Sequence, residues 1–164
     1  MAGRGERDYG KLLVFVCTGN TCRSPMAEAF ARALLPDGWE ATSAGLHVSV
    51  GDPPAPEAVL AASEHGADIS GHRVRPMTDA LAFAASLLVG MTAAHAAELR
   101  RRFPFAADKV RILGEYGPKP VRDISDPFGG TIADYRQCCR SISACLAGLA
   151  SCIRGRQGPL TKDL

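Results

Sequence analysis

A short apolar segment, followed at once by a polar, glycine-containing turn, constrains the fold more than any other feature of this sequence. Residues 11–16 read KLLVFV, a run rich in strand formers that suits a strand buried on both faces of a sheet. Residues 17–24 read CTGNTCRS, and residues 25–35 place a proline in a first helical turn ahead of good helix formers. The segment therefore predicts a strand, a tight loop and a helix in succession.

The remaining sequence continues this alternation of strands and helices. Further short strands are predicted at residues 39–44, 87–91 and 110–113, and helices at residues 57–65, 78–85, 93–103 and 134–153. This order predicts βαβ units and therefore an α/β fold, a single doubly wound domain with a four-stranded parallel sheet flanked by helices. Residues 11–155 are assigned to the domain, with residues 1–10 and 156–164 as tails.

Length and charge narrow the possible partners. A chain of 164 residues fits one compact domain, and a net charge of +2 is too small to attract nucleic acid or an anionic membrane by bulk electrostatics. The longest weakly apolar stretch, residues 81–91, is too short to span a bilayer, and residues 1–10 lack the apolar centre of a signal peptide. We therefore expect a cytoplasmic monomer with six free thiols and with neither nucleic acid nor membrane as a partner.

The loop at residues 17–24 has the residue types of an anion-binding site. Gly19 and Asn20 tolerate left-handed backbone conformations, so the loop can curl with its N–H groups pointing inward. The start of the next helix adds unpaired N–H donors, and Arg23 adds a planar fork that matches two phosphate oxygens. A thiol at Cys17 would then be available as a nucleophilic thiolate. The alternative is a tight turn with a buried cysteine and a surface arginine.

The string VCTGNTCRSPMAEA, residues 16–29, resembles the signature of the low-molecular-weight protein tyrosine phosphatases. The resemblance extends from about residue 11 to the predicted terminal helix. It implies the flavodoxin-like strand order 2-1-3-4, with Cys17 as the nucleophile and Arg23 as the residue that binds phosphate and its transition state. Contacts to phosphate and substrate are assigned to Thr18, Gly19, Asn20, Thr21, Cys22, Ser24 and Phe128.

The same resemblance assigns a supporting hydrogen-bond network around the loop. Ser24 is expected to bond the thiolate, and the side chain of Asn20 is expected to hold the loop in its strained curl. Ser43 and His72 match the residues that complete this network. A histidine such as His72 would otherwise be interpreted as a satisfied structural residue.

Residues 126–130, DPFGG, supply the general acid that such a phosphatase needs. The family has its acid in an Asp-Pro loop at this distance from the terminal helix, so the resemblance assigns that role to Asp126. Without the loop at Cys17 the segment would be an ordinary Asp-Pro turn, and nearby Asp123 is interpreted as a solvated loop residue. The resulting cycle of phosphocysteine formation and hydrolysis needs no cofactor or metal, and the four histidines have no chelating spacing.

Two positions depart from the tyrosine-specific pattern and resemble the protein arginine phosphatase branch. Thr21 stands where the tyrosine enzymes usually have a bulky aliphatic residue, and Phe128 is followed by two glycines rather than by further aromatics. An aliphatic side chain can pack against a tyrosine ring, whereas a guanidinium needs room and hydrogen-bond partners. Phosphorylated protein is therefore the expected partner, with phosphoarginine preferred and phosphotyrosine as the alternative.

Other enzymes share this fold and loop. An arsenate reductase needs further resolving cysteines, but none occurs between Cys22 and Cys138. A phosphocysteine carrier must protect its intermediate from water, which Asp126 would activate. In the family Cys22 can form a reversible disulfide with Cys17, and packing beneath the loop is the other interpretation.

The terminal helix is predicted to bury one apolar stripe. Residues at helical spacing form that stripe, and Cys139 falls outside it. The members of the stripe are Cys138, Ile142, Cys145, Leu149 and Cys152.

Overall fold

A computed structural model describes residues 11–155, which alternate four strands with five helices. The predicted tails at residues 1–10 and 156–164 lie outside the described residues. Two short 3₁₀ segments, Pro104–Lys109 and Leu113–Tyr116, flank the last strand. The elements are β1 Lys11–Cys17, α1 Arg23–Arg32, β2 Trp39–Gly45, α2 Pro56–Glu64, α3 Asp79–Ala84, β3 Leu87–Gly90, α4 Ala93–Arg102, β4 Val110–Ile112 and α5 Ile132–Arg154.

All strand pairs are parallel and the sheet has the order β2-β1-β3-β4. The predicted α/β fold and its strand order 2-1-3-4 are therefore confirmed. The chain leaves β1 for the edge strand β2 and then crosses back to β3, so the strand order reverses beside β1. Because open α/β sheets bind ligands at such a reversal, the carboxyl end of β1 is the favoured position for a site. Cys17 is the last residue of that strand.

Two apolar layers cover the sheet, one on each face. Residues 13–16 of β1 are fully buried and alternate between the layers because successive side chains of a strand point to opposite faces. Leu13 and Phe15 belong to the layer that also contains residues of α1, α2 and α5. Val14 and Val16 belong to the layer formed with α3 and α4. None of the helices within residues 11–155 combines the length and apolarity needed to cross a membrane.

The helix after β1 begins at Arg23 rather than at residue 25. The amide of Met26 donates to the carbonyl of Cys22 at 3.3 Å, so the first helical turn already contains Arg23 and Ser24. Pro25 lies in this first turn, where its missing N–H costs nothing. The helix also ends earlier than predicted, at Arg32. Its early start places the arginine side chain and the loop amides at the same helix end.

The predicted stripe on α5 is wrong in including Cys152 and in leaving out Cys139. Cys139 is fully buried, with its thiol 3.3 Å from the sulfur of Met26, whereas Cys152 is exposed and Ile153 is buried in its place. A repeat of seven residues drifts by about 20° per heptad on a straight α-helix. The spacing from Cys138 through Cys145 therefore rotates out of the core before it reaches Cys152.

Candidate functional site

Residues 17–23 curl tightly at the carboxyl end of β1, and their backbone geometry depends on Asn20. Asn20 has a φ of 56°, the one positive φ of a non-glycine residue within residues 11–155. Asparagine accepts this left-handed conformation more readily than most residues. The residue at the end of the neighbouring strand must also lack a side chain, because a Cβ on Gly45 would lie 2.8 Å from the carbonyl oxygen of Thr18. Glycine at the end of β2 therefore permits the close approach of the loop.

The side chain of Asn20 is fully buried, and both ends of its amide are hydrogen-bonded. Its Nδ2 donates to the hydroxyls of Ser24 at 2.8 Å and Ser43 at 3.0 Å. Its Oδ1 accepts from the backbone amide of Arg75 at 3.1 Å. Nε2 of His72 donates to the backbone carbonyl of Asn20 at 2.9 Å. The structure thus brings together the network residues that were predicted from sequence.

Two donors point at the sulfur of Cys17. The hydroxyl of Ser24 lies 2.9 Å from this sulfur, and the backbone amide of Asn20 donates to it at 3.3 Å. Because the Ser24 oxygen already accepts from the Asn20 amide, its own proton is free to point at Cys17. This is the arrangement that a nucleophilic thiolate requires.

Arg23 is buried and joins the loop to the segment that contains Asp126. One guanidinium nitrogen donates to the carbonyl of Ile124 at 2.9 Å, and the other lies 3.3 Å from the carboxylate of Asp126. The Asp126 side chain is 53% exposed, and its second oxygen accepts from the amide of Phe128 at 3.1 Å. The guanidinium is therefore fixed by a backbone carbonyl and does not depend on the carboxylate for its orientation.

Three further predicted residues lie outside the buried network. Thr21 and Phe128, which are half-buried and exposed, form what we call the rim of the loop, and Cys22 lies on its underside. The Thr21 hydroxyl lies 3.6 Å from the sulfur of Cys22, and the Phe128 side chain is largely exposed. The sulfur of Cys22 lies 3.4 Å from the hydroxyl of buried Tyr135. Burial raises the pKa of the Cys22 thiol and the pKa of Tyr135. Cys22 is thus packed as a neutral thiol beneath the loop, and its disulfide with Cys17 stays a prediction.

Sequence reasoning missed several polar residues at the site. Nε2 of buried His95 lies 2.9 Å from the hydroxyl of Thr18. Glu28 accepts from the hydroxyl of Ser43 at 2.5 Å and so extends the network that starts at Asn20 to its ion pair with Arg32. Glu28 could have been predicted, because it follows Ser24 by four residues and residues four apart share a helix face. Nothing in the sequence places His95 near the loop.

Asp123 is an exposed loop residue, as the sequence suggested, and it also makes a contact to α4 that the sequence did not indicate. Its carboxylate accepts from the backbone amide of Ala93, the first residue of α4, at 2.8 Å. An unpaired amide at a helix N-terminus favours a negative partner, which explains the contact.

Replacing Asn20 tests whether this residue sets the loop conformation. In Asn20→Ala the amide hydrogen bonds are lost while the Cβ stays in the left-handed conformation that they had stabilised, so we expect the free energy of unfolding to fall by about 2–4 kcal/mol. Asn20→Gly loses the same hydrogen bonds without the steric strain. Urea denaturation should find the glycine variant more stable than the alanine variant by about 1 kcal/mol. Equal stability of the two variants would contradict the argument from backbone strain.

Comparison with known proteins identifies the family to which this site belongs. The family model for low molecular weight phosphotyrosine protein phosphatase matches residues 12–158. A low molecular weight protein-tyrosine-phosphatase of Streptomyces coelicolor is 38% identical over 153 residues, covering 85% of this chain and 92% of that protein. The protein-arginine-phosphatase of Bacillus subtilis is 39% identical over 128 residues, covering 76% of this chain and 85% of that protein.

Solved structures agree with this relationship. The YwlE arginine phosphatase from Geobacillus stearothermophilus has a TM-score of 0.84 and 33% sequence identity, covering 90% of this chain and 95% of its own. A YwlE arginine phosphatase structure with a phosphorylated active-site serine has a TM-score of 0.83 and 34% identity over 89% of this chain and 97% of its own. The chain belongs to the low molecular weight phosphotyrosine protein phosphatase family and is a cysteine-dependent phosphatase.

Proposed function

We propose that the enzyme hydrolyses phosphoarginine in proteins through a phosphocysteine intermediate. Its family acts on phosphorylated proteins, and relatives are named as arginine and as tyrosine phosphatases. The observation that carries the arginine assignment is Thr21, a small hydroxyl-bearing residue at the half-buried rim of the loop. We further propose that the enzyme works as a cytoplasmic monomer, without a cofactor or a metal.

The first chemical step transfers the phosphoryl group to Cys17. The thiolate attacks phosphorus in line, forming the S–P bond while the P–N bond to the guanidine breaks. Arg23 and the backbone amides of the loop stabilise the charge on the equatorial oxygens. Asp126 donates its proton to the departing nitrogen and is left as a carboxylate.

The second step returns the enzyme to its starting state. Asp126, now a carboxylate, takes a proton from a water molecule whose oxygen forms a bond to phosphorus. The S–P bond breaks, and the hydroxyl of Ser24, 2.9 Å from the sulfur, stabilises the thiolate that leaves. Asn20, Ser43 and His72 keep the loop in the conformation that both steps need.

The residues at the rim are assigned to substrate selection. A phosphotyrosine presents an apolar ring above the loop, whereas phosphoarginine presents a planar polar group with several N–H donors. The hydroxyl of Thr21 can accept from such a donor, and so can the carboxylate of Asp126. The exposed ring of Phe128 is free to stack on a guanidinium plane or on the substrate's aliphatic stem.

Phosphotyrosine is the second candidate substrate because several relatives are named as tyrosine phosphatases. We expect the unaltered protein to hydrolyse phosphoarginine peptides with a higher kcat/KM than matched phosphotyrosine peptides. In Thr21→Ile, the added aliphatic bulk and the lost hydroxyl should lower arginine activity and raise tyrosine activity. Release of inorganic phosphate measures both reactions. Faster turnover of phosphotyrosine by the unaltered protein would overturn the arginine assignment.

Replacement of Asp126 should lower kcat more for a substrate whose leaving group needs a proton than for one whose leaving group is stable as an anion. In Asp126→Ala we expect kcat for phenyl phosphate to fall by roughly 10²–10⁴-fold, because the departing phenolate needs a proton. The fall should be smaller for p-nitrophenyl phosphate, whose leaving group is stable as an anion. Cys17→Ser serves as the control that abolishes turnover of both substrates. Equal loss for the two substrates in Asp126→Ala would exclude this residue as the general acid.

A further inference from the structure

The first turn of α4 contacts both loops of the site. The hydroxyl of Thr92 caps the helix by accepting from the backbone amide of His95 at 3.1 Å. On one side of this turn, the ring of His95 bonds the hydroxyl of Thr18 in the phosphate loop at 2.9 Å. On the other side, the amide of Ala93 donates to the carboxylate of Asp123 at 2.8 Å. One rigid helix end therefore lies between the two segments.

The hydrogen bond of His95 has a direction that follows from burial. Its Nδ1 is buried and has no hydrogen-bond partner within residues 11–155. A buried unpaired N–H is more costly than a buried unpaired acceptor, so the proton belongs on Nε2, which donates to Thr18. Burial and nearby Arg23 lower the pKa of His95 to about 4, so the ring is neutral at physiological pH. The hydroxyl proton of Thr18 is then left free to point towards the mouth of the loop.

The segment from residue 123 to residue 126 is held at this same helix end. The amide of Ile124 donates to the carbonyl of Met91 at 2.9 Å, and its carbonyl accepts from Arg23 at 2.9 Å. Asp123 provides the side-chain contact to α4. Asp126 follows three residues later, half exposed, and the remaining contact to the phosphate loop is its ion pair with Arg23. The position of Asp126 thus depends on contacts made by the residues just before it.

We propose that Asp123 and His95 are positioning residues. They hold the acid loop, residues 123–128, and the phosphate loop, residues 17–23, against the first turn of α4 at the separation that proton transfer requires. This proposal rests on the proposed role of Asp126 as general acid. Misplacement of a catalytic group by about 1 Å can reduce the rate by about 10²-fold. A hydrogen bond between residues that do not touch the substrate can therefore affect the reaction rate.

Matched variants of Asp123 test the acid-loop contact. Asp123→Asn keeps an oxygen that can accept from the Ala93 amide, whereas Asp123→Ala removes it. In Asp123→Ala we expect kcat for phenyl phosphate to fall roughly 10- to 100-fold. The fall should be smaller for p-nitrophenyl phosphate, and Asp123→Asn should restore most of the activity. Equal losses for both substrates, or equal losses in both variants, would overturn the role of Asp123.

A double-mutant cycle tests His95. If His95 acts through Thr18, His95→Gln should raise KM for both aryl phosphates in the unaltered background and have no further effect in Thr18→Val. Additive effects would overturn this role. Asp126→Ala shows which of the two roles fails.

If Asp126→Ala slows phenyl phosphate and p-nitrophenyl phosphate equally, Asp126 is not the general acid. If Asp126→Ala slows phenyl phosphate more, as expected, but Asp123→Ala has no effect, Asp126 is the general acid and only the positioning role of Asp123 is excluded.

A groove of about 850 Å³ lies between α5 and residues 117–130. Asp126 and Phe128 line its end nearest to the site, and buried Ile124, Cys138 and Cys145 contribute to its apolar lining. The groove therefore continues from the proposed acid loop along the side of the molecule.

The charged side chains of this groove are of both signs. Lys119 and Arg140 line it together with Asp123, Asp126 and Asp134, and among the described residues Asp126 alone of these carboxylates has a cation within 4.0 Å, Arg23. The apolar lining is therefore the feature that decides what the groove can bind, and it matches an apolar side chain.

We infer that this groove, which begins at Asp126 and Phe128, binds the substrate chain beside the phosphorylated residue and prefers an apolar residue there. The inference rests on the enzyme's action on phosphorylated proteins, and it holds for either phosphorylated side chain. A free aryl phosphate has no flanking chain and cannot use the groove.

Two alanines on α5 provide a matched test. Both Ala144 and Ala147 are exposed, but Ala144 lines this groove and Ala147 does not. Ala144→Trp should raise KM for a phosphopeptide with apolar flanking residues by roughly tenfold, while Ala147→Trp should leave it unchanged. Both variants should hydrolyse p-nitrophenyl phosphate normally. An unchanged KM in Ala144→Trp, or an equal loss with p-nitrophenyl phosphate, would overturn the inference.

Discussion

The geometry of the whole site depends on the buried amide of Asn20. This residue holds a left-handed backbone conformation of about 1–2 kcal/mol cost, which persists because the side chain bonds Ser24, Ser43 and the backbone of Arg75 at once. The same amide orients the hydroxyl of Ser24 towards Cys17. The backbone strain, the curvature of the loop and the hydrogen bond from Ser24 to Cys17 therefore all depend on this one side chain.

The sheet determines where this loop can form. β1 lies between β2 and β3, so its carboxyl end is surrounded by the ends of two parallel neighbours. Gly45 on one side leaves room for the loop backbone, and the chain after β3 contributes the first turn of α4 on the other side. Because α1 begins at Arg23, the guanidinium starts from the helix end that also directs free amides into the loop. A doubly wound order thus brings together segments that are far apart in sequence.

Much of this arrangement could be predicted from sequence, for reasons that are specific to each residue. Cys17, Asn20 and Arg23 lie within one short segment whose spacing has a chemical meaning, and the resemblance to a family extended the prediction to Asp126, Ser43 and His72. The contacts of His95 and Asp123 were not predicted, because each residue reaches a distant segment through one hydrogen bond and belongs to no local pattern. The exposure of Cys152 was likewise not predicted, because a pattern with an exact seven-residue period ignores the gradual rotation of such positions around a straight helix.

The contrast between buried and exposed residues explains how one chemistry can serve two kinds of substrate. Asn20, Ser24 and Ser43 are completely buried and share hydrogen bonds, so a change at any one leaves a buried polar group without its partner. Thr21 and Phe128 lie at the rim and make few such contacts, so we expect their replacement to alter what fits above the loop without disturbing Cys17. Relatives named as arginine and as tyrosine phosphatases are consistent with this division. In the proposed mechanism, substrate selection is therefore a property of the rim, and phosphoryl transfer is a property of the buried network beneath it.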